Sequence, residues 1–132
     1  MTGRLTLHFD GGCRPNPGPI ETAVVMRGVA HFRDDLGSGD NNEAEWLALL
    51  HAVALARAAS ADDVLLVGDS AVVIGQASGR TKCRSPQLQP HLDAFKAAIA
   101  GIARVRCRLV PRSKNLAGIA LARRRDSAAS PG

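Results

Sequence analysis

The run Val64–Val67 (VLLV) restricts the fold more than any other stretch of this 132-residue chain. Four consecutive large apolar side chains in an extended segment leave no face for water. Such a strand has to be covered on both sides, as in the centre of a parallel sheet flanked by helices. Gly68-Asp69-Ser70 ends the run, and a helical segment, AVVIGQAS, follows at once. Asp69 therefore falls at the carboxyl edge of a buried strand, the edge where α/β sheets place their ligands. An Asp there can cap the next helix or face a ligand, and the local sequence leaves both uses open.

The N-terminal stretch Leu5 to Pro19 (LTLHFDGGCRPNPGP) has the same logic. Leu5, Leu7 and Phe9 point one way and Thr6, His8 and Asp10 the other, the period-two pattern of a half-buried strand. A Gly-Gly pair and a Pro-Asn-Pro-Gly turn are expected to end it. Asp10 is then a second carboxylate on a polar face at a strand end, beside backbone that only glycine lets another group approach.

The segments Ile20–Ala30 and His31–Leu36 read as two further strands, joined to the first as an antiparallel meander, with Gly37–Asp40 as a loop. A helix follows over NNEAEWLALLHAVALARAAS. Asn41 or Asn42 is placed to cap it, Glu43 and Glu45 suit the positive end of its dipole, and Trp46, Leu49, Leu50 and Val53 form its apolar stripe. Dipole compensation accounts well for Glu43 and less well for Glu45, which flanks the buried stripe. Beyond the central strand, Pro86–Ile102 reads as a helix with an irregularity at Pro90. Arg104–Val110 (RVRCRLV) alternates as a strand with Val105, Cys107 and Leu109 inward. Pro111–Lys114 reads as a loop, Asn115–Arg125 as a helix capped by Asn115, and Ser127–Gly132 as a fraying end. A meander followed by βα units implies one α/β domain with a mixed sheet and helices on both faces.

Asp10 ends the first strand, Glu45 opens the first helix and Asp69 ends the central strand. If those two strands are neighbours, three carboxylates meet at one sheet edge. Hard oxygen ligands without His or Cys favour Mg²⁺ or Mn²⁺ over zinc, and a metal pair would do the chemistry. Charge supports a polyanionic partner. Residues 1–79 carry five basic and ten acidic side chains, whereas residues 80–132 carry twelve basic and two acidic ones. Three widely spaced cysteines, with no CxxC pair, fit a reducing cytoplasm better than a disulfide framework. No apolar run approaches the ~18 residues of a membrane span, and aromatic residues make up only 3% of the chain, so Ala, Val and Leu must fill the core.

FDGGCRPNPGP, NNEAEW, VGDSAVVI and VPRSKN, in that order and followed by a helix, resemble the ribonuclease H type-one family. The likeness is greatest to its short bacterial and archaeal forms, whose last strand ends in a Val-Pro-Arg loop. The resemblance implies a ribonuclease H-like mixed five-stranded sheet and hydrolysis of the RNA strand of RNA–DNA hybrids. It also implies that Asp10, Glu45 and Asp69 hold two Mg²⁺ or Mn²⁺ ions. Gly11, Asn16, Asn41 and Asn42 would line the hybrid's minor groove, where 2′-hydroxyls distinguish RNA from DNA. A monomer is favoured. The chain also departs from the family pattern. Ile119 stands where the last helix normally carries a fourth carboxylate, no His follows His91, and no basic protrusion or separate hybrid-binding domain is evident. Asp126, seven residues on, is expected to lie too far along the helix to replace it. The family's activity, in a form weakened by the missing carboxylate, therefore stands beside a second reading, a catalytically poor protein that binds nucleic acid or another partner.

Overall fold

A computed structural model describes residues 3–129. Strands β1 (Leu5–Cys13), β2 (Gly18–Met26) and β3 (Val29–Arg33) form an antiparallel meander. A two-residue strand, β4 (Ser38–Gly39), adds to the start of β2. Helix α1 (Asn41–Ala58) leads to the central strand β5 (Asp63–Gly68), then to helices α2 (Ala71–Ala77) and α3 (Gln89–Ile99). Strand β6 (Arg104–Leu109), a single 3₁₀ turn (Arg112–Lys114) and helix α4 (Leu116–Ala129) complete the order. The sheet runs β3-β2-β1-β5-β6, with β5 parallel to both its neighbours. The short β4 makes it six-stranded rather than five-stranded.

The apolar run behaves as its composition demands. Val64 and Leu66 join the main core with Leu5, Leu7 and Phe9, while Leu65 and Val67 are buried too. On that side Trp46, Leu49 and Val53 of α1 and Leu92 and Phe95 of α3 cover the sheet. The Trp46 indole donates a hydrogen bond to Gln76 Oε1 at 2.8 Å and meets the edge of Phe95 with ring centroids 5.9 Å apart. On the opposite face, Ala117 and Leu121 of α4 pack on Ala23.

Several boundaries differ from the sequence expectation, each for a local reason. The β2–β3 turn is at Arg27-Gly28, not near Ala30, because both residues take positive φ (53° and 77°) as a two-residue hairpin requires. The expected strand ends Ala30 and Leu36 are therefore misplaced. β1 continues through Gly11 and Gly12 to Cys13, since β2 supplies ladder partners from Thr22 to Ile20. Asp40, not Asn41 or Asn42, caps α1, its Oδ1 accepting from the Glu43 N–H at 2.9 Å. Residues 86–88 form a turn, and α3 starts later with Pro90 in its first turn, where a missing N–H costs nothing. Leu109 is 48% exposed because β6 is the sheet edge and its last residue lies at the rim. Residues 127–129 continue α4 instead of fraying, and the expectation for residues 130–132 lies outside the described residues.

Trp46 is the chain's single tryptophan, so its fluorescence should report unfolding directly. Phe95→Ala removes its aromatic neighbour and a fully buried ring, and is expected to destabilise the fold by about 3–5 kcal/mol. A lowered urea midpoint in Trp46 fluorescence measures this, and an unchanged midpoint would show that α3 is not part of the core.

Candidate metal centre

The parallel register builds half of the site. His8 pairs with Val67 across β1 and β5, and two residues further on the strands deliver Asp10 and Asp69 side by side. Asp69 is not consumed as a helix cap: Ser70 does that, its Oγ accepting from the Val73 N–H at 3.2 Å. Asn115, fully buried, instead donates through Nδ2 to Asp69 Oδ2 at 2.8 Å and to the Phe9 carbonyl at 2.9 Å. Its Oδ1 meanwhile accepts from the Ala117 N–H at 3.1 Å and starts α4.

The third carboxylate arrives from the other face of the sheet. Glu45, the fifth residue of α1, is 8% exposed, and its Oε1 accepts from the Gly11 N–H at 2.6 Å. The helix comes so close that a Cβ at Gly11 would collide with the Ala44 carbonyl oxygen. Gly11 is thus a backbone requirement of the site. Oxygen atoms of Asp10, Glu45 and Asp69 lie within 4.8 Å of one another.

Such crowding is unfavourable for the anions. Burial, reinforced by the Asp10 charge and partly offset by the Gly11 N–H, pushes the Glu45 carboxyl from the usual 4.5 up to about 9. Burial and then Asp69 raise Asp10 from 3.8 to about 6, against the opposing influence of a hydrogen bond with Glu45 and the Arg112 and Arg125 charges. A cluster of oxygen donors that resists ionisation on its own is well suited to a divalent cation, which supplies the missing positive charge.

A cavity of about 510 Å³ opens on this edge, lined by Asp10, Glu45, Asn41 and Gly11–Cys13 and by Arg112, Ile119 and Arg125. A family model described as "Reverse transcriptase-like" matches residues 8–125. Ribonuclease HI of Halobacterium salinarum is 34% identical over 125 residues, 91% of this chain and 63% of that protein. The crystal structure of RNase H1 from the same archaeon superposes with a TM-score of 0.86 at 30% identity, covering 96% of this chain and 100% of that one. This chain belongs to the ribonuclease H family. The bifunctional protein Rv2228c of Mycobacterium tuberculosis is 30% identical over 118 residues, 85% of this chain and 32% of that protein. The ribonuclease H domain described here thus spans less than two thirds of the length of these curated relatives.

The residues expected at a ribonuclease H groove are only partly assembled around the carboxylates. Gly11 and Asn41 line the cavity. Asn41 Oδ1 accepts from the Cys13 N–H at 3.4 Å and from its thiol at 3.3 Å, which ties the start of α1 to β1. Asn16 is exposed on the 14–17 bend and accepts from the Cys13 thiol at 3.5 Å. Asn42 is exposed and outside the cavity lining. Asp126 is exposed, lies on the same continuous helix as Ile119, and is not a member of the acidic cluster found among the described residues. The sequence marks Asn115 as a cap and the trio Arg123–Arg125 as candidate phosphate binders, but not the hold of Asn115 on Asp69, the place of Arg112 in the cavity, or which of the trio enters it. The only local signal for Arg112 and Arg125 was their place in a uniformly basic segment.

Without metal, Glu45 and Asp10 retain protons in the folded state where the unfolded chain has already lost them. Their contribution to stability is therefore full below about pH 4 and is lost as pH rises toward about 9. Glu45→Gln removes the larger part. Its metal-free melting temperature should exceed that of the unsubstituted protein at pH 8, and the gap should close near pH 4.5. His51, lowered to about 4 by burial and then by the Arg33 and His31 charges, destabilises both proteins alike as pH falls below 6.5 and drops out of the difference. Added Mg²⁺ should narrow the pH 8 gap by stabilising only the intact site. Equal melting temperatures at every pH, with or without Mg²⁺, would contradict this account of the cluster.

Proposed function

We propose that this chain is a metal-dependent endoribonuclease that hydrolyses the RNA strand of RNA–DNA hybrids. The observation that carries this reading is the convergence of Asp10, Glu45 and Asp69 within 4.8 Å at the open end of a ribonuclease H fold. In the proposal these three carboxylates hold two divalent cations, Mg²⁺ or Mn²⁺. The cations, when bound, supply activation of water for in-line attack and stabilisation of the departing 3′-oxygen. The protein's own groups prepare that chemistry. The Gly11 N–H orients Glu45 and the Asn115 amide orients Asp69. Arg112 offers positive charge at the same edge. Gly11, Asn16, Asn41 and Asn42 are proposed to meet the minor groove. An RNase H1 named LC11, which aligns with a TM-score of 0.79 at 26% identity over 96% of this chain and 99% of its own, is described in complex with an RNA/DNA hybrid, which supports the same substrate class here. A monomer in the cytoplasm is the proposed setting, and three free cysteines suit a reducing compartment.

One observation favours a second reading, a nucleic-acid-binding protein with poor turnover. Among the described residues the acidic cluster has three members, and Ile119, which stands where the family normally carries a fourth carboxylate, lines the cavity. Cleavage of a labelled hybrid in Mg²⁺ or Mn²⁺, run beside DNA and RNA duplexes, separates the two. Hybrid-selective cleavage that is lost in Asp10→Asn, Glu45→Gln and Asp69→Asn is expected. Tight binding without cleavage in either metal would favour the second reading. A graded version uses the departure itself. Ile119→Asp is expected to raise Mg²⁺-supported cleavage tenfold or more, a barrier change of about 1.4 kcal/mol or more, while Asp126→Asn leaves the rate nearly unchanged. The reverse pattern would mean that α4 is wrongly registered against the carboxylates.

A further inference from the structure

Helix α4 passes directly over the carboxylates yet gives them no oxygen ligand. A Cβ at Gly118 would lie 3.5 Å from Asp10 Oδ2 and 3.8 Å from Asp69 Oδ2, and the next residue is the aliphatic Ile119. Two turns further on, the helix sends the Arg125 side chain back into the same cavity. Its Nε donates to Glu21 Oε2 at 3.1 Å, and Glu21 stands opposite Gly12 in the β1–β2 ladder. Its Nη2 lies 3.0 Å from where a Cβ at Gly12 would be, is covered, and has no hydrogen-bond partner. Arg106 and Arg124 also carry a covered, unpartnered nitrogen, but neither lines this cavity, and Arg124 is engaged by Asp34 and the Phe32 ring.

We propose that Arg125 is a substrate-binding residue of this site, its guanidinium taking a phosphate oxygen of the nucleic-acid strand that runs past Gly12. The inference rests on the nuclease reading above and adds a residue to it. A guanidinium can be clamped through Nε and still present its Nη groups to an anion, which an ammonium cannot do. Nη2 is covered in this conformation, and a turn of the partly exposed guanidinium would bring it to a phosphate oxygen and remove the cost of a buried donor without an acceptor. The helix position that lacks an acid thus coincides with a helix that contributes a cation, suited to holding the substrate's phosphate.

The test is fluorescence anisotropy of a labelled RNA–DNA hybrid in EDTA across a salt series. Arg125→Ala is expected to weaken binding about tenfold or more at low salt and to reduce the salt slope by about 0.9. Arg125→Lys should keep the slope while recovering only part of the affinity, and Arg123→Ala, an exposed change on the same helix, should matter much less. Unsubstituted affinity and slope in Arg125→Ala would overturn the proposal. If that variant fails to fold, the Nε–Hε resonance of Arg125 in the unsubstituted protein decides: movement on adding hybrid supports the contact, and a stationary signal overturns it. A protein that binds hybrid through Arg125 but cleaves nothing would defeat the nuclease reading and leave this one standing. A protein that binds no hybrid would defeat both.

Discussion

The close approach of α1 to β1 at Gly11 is the contact on which the rest of the site depends. Only a residue without a Cβ leaves room for the Ala44 carbonyl, and the Gly11 N–H then meets Glu45. That pairing brings a glutamate from a helix on one face of the sheet to an aspartate that points toward the other. Like charges so placed repel one another, and burial raises both proton affinities. The fold tolerates the arrangement because Trp46, Leu49 and Val53 follow directly on α1 and anchor it in the core, so the helix cannot retreat without opening that packing.

Asn115 plays the corresponding part on the opposite face. One fully buried amide starts α4, holds the Phe9 carbonyl next to Asp10, and orients Asp69. The last helix, the end of the first strand and one carboxylate are therefore coupled through a single side chain. With all three hydrogen bonds made, the amide is well satisfied and its orientation is determined, as buried polar groups require. Replacing it would leave buried partners unpaired at both strand ends.

The charge asymmetry of the chain is also resolved in three dimensions. Part of the basic C-terminal half returns to the acidic N-terminal half: Arg106 to Asp63, Arg124 to Asp34 and Arg125 to Glu21. The exposed pair Arg124–Asp34 adds little stability. The larger consequence of these pairs is geometric, since they fix where positive charge stands around the carboxylates. Arg112 and Arg125 line the cavity with Asp10 and their charges act on it, whereas Arg124 pairs with Asp34 and sits over the Phe32 ring. Three adjacent arginines thus have different surroundings, a distinction that a linear count of charges does not contain.

Local pattern and composition determined a great deal. The apolar run 64–67 dictated a strand covered on both faces, the alternation at 5–10 put Asp10 on the polar side, and the element order implied a mixed sheet. These features rest on short-range periodicity, which a chain carries in its own residue order. The Arg27-Gly28 hairpin and the Asp40 cap were misread because several neighbouring residues could serve and only the register of the finished ladder selects one. What lay wholly beyond local pattern were the relations between distant segments. These include the Gly11 contact with Ala44 and Glu45, the hold of Asn115 on Asp69, and the turn of Arg125 into the cavity. Each joins residues 33 to 113 positions apart, and such contacts follow from how helices pack on the two faces of the sheet, a choice made by the whole core and not by any one stretch of sequence.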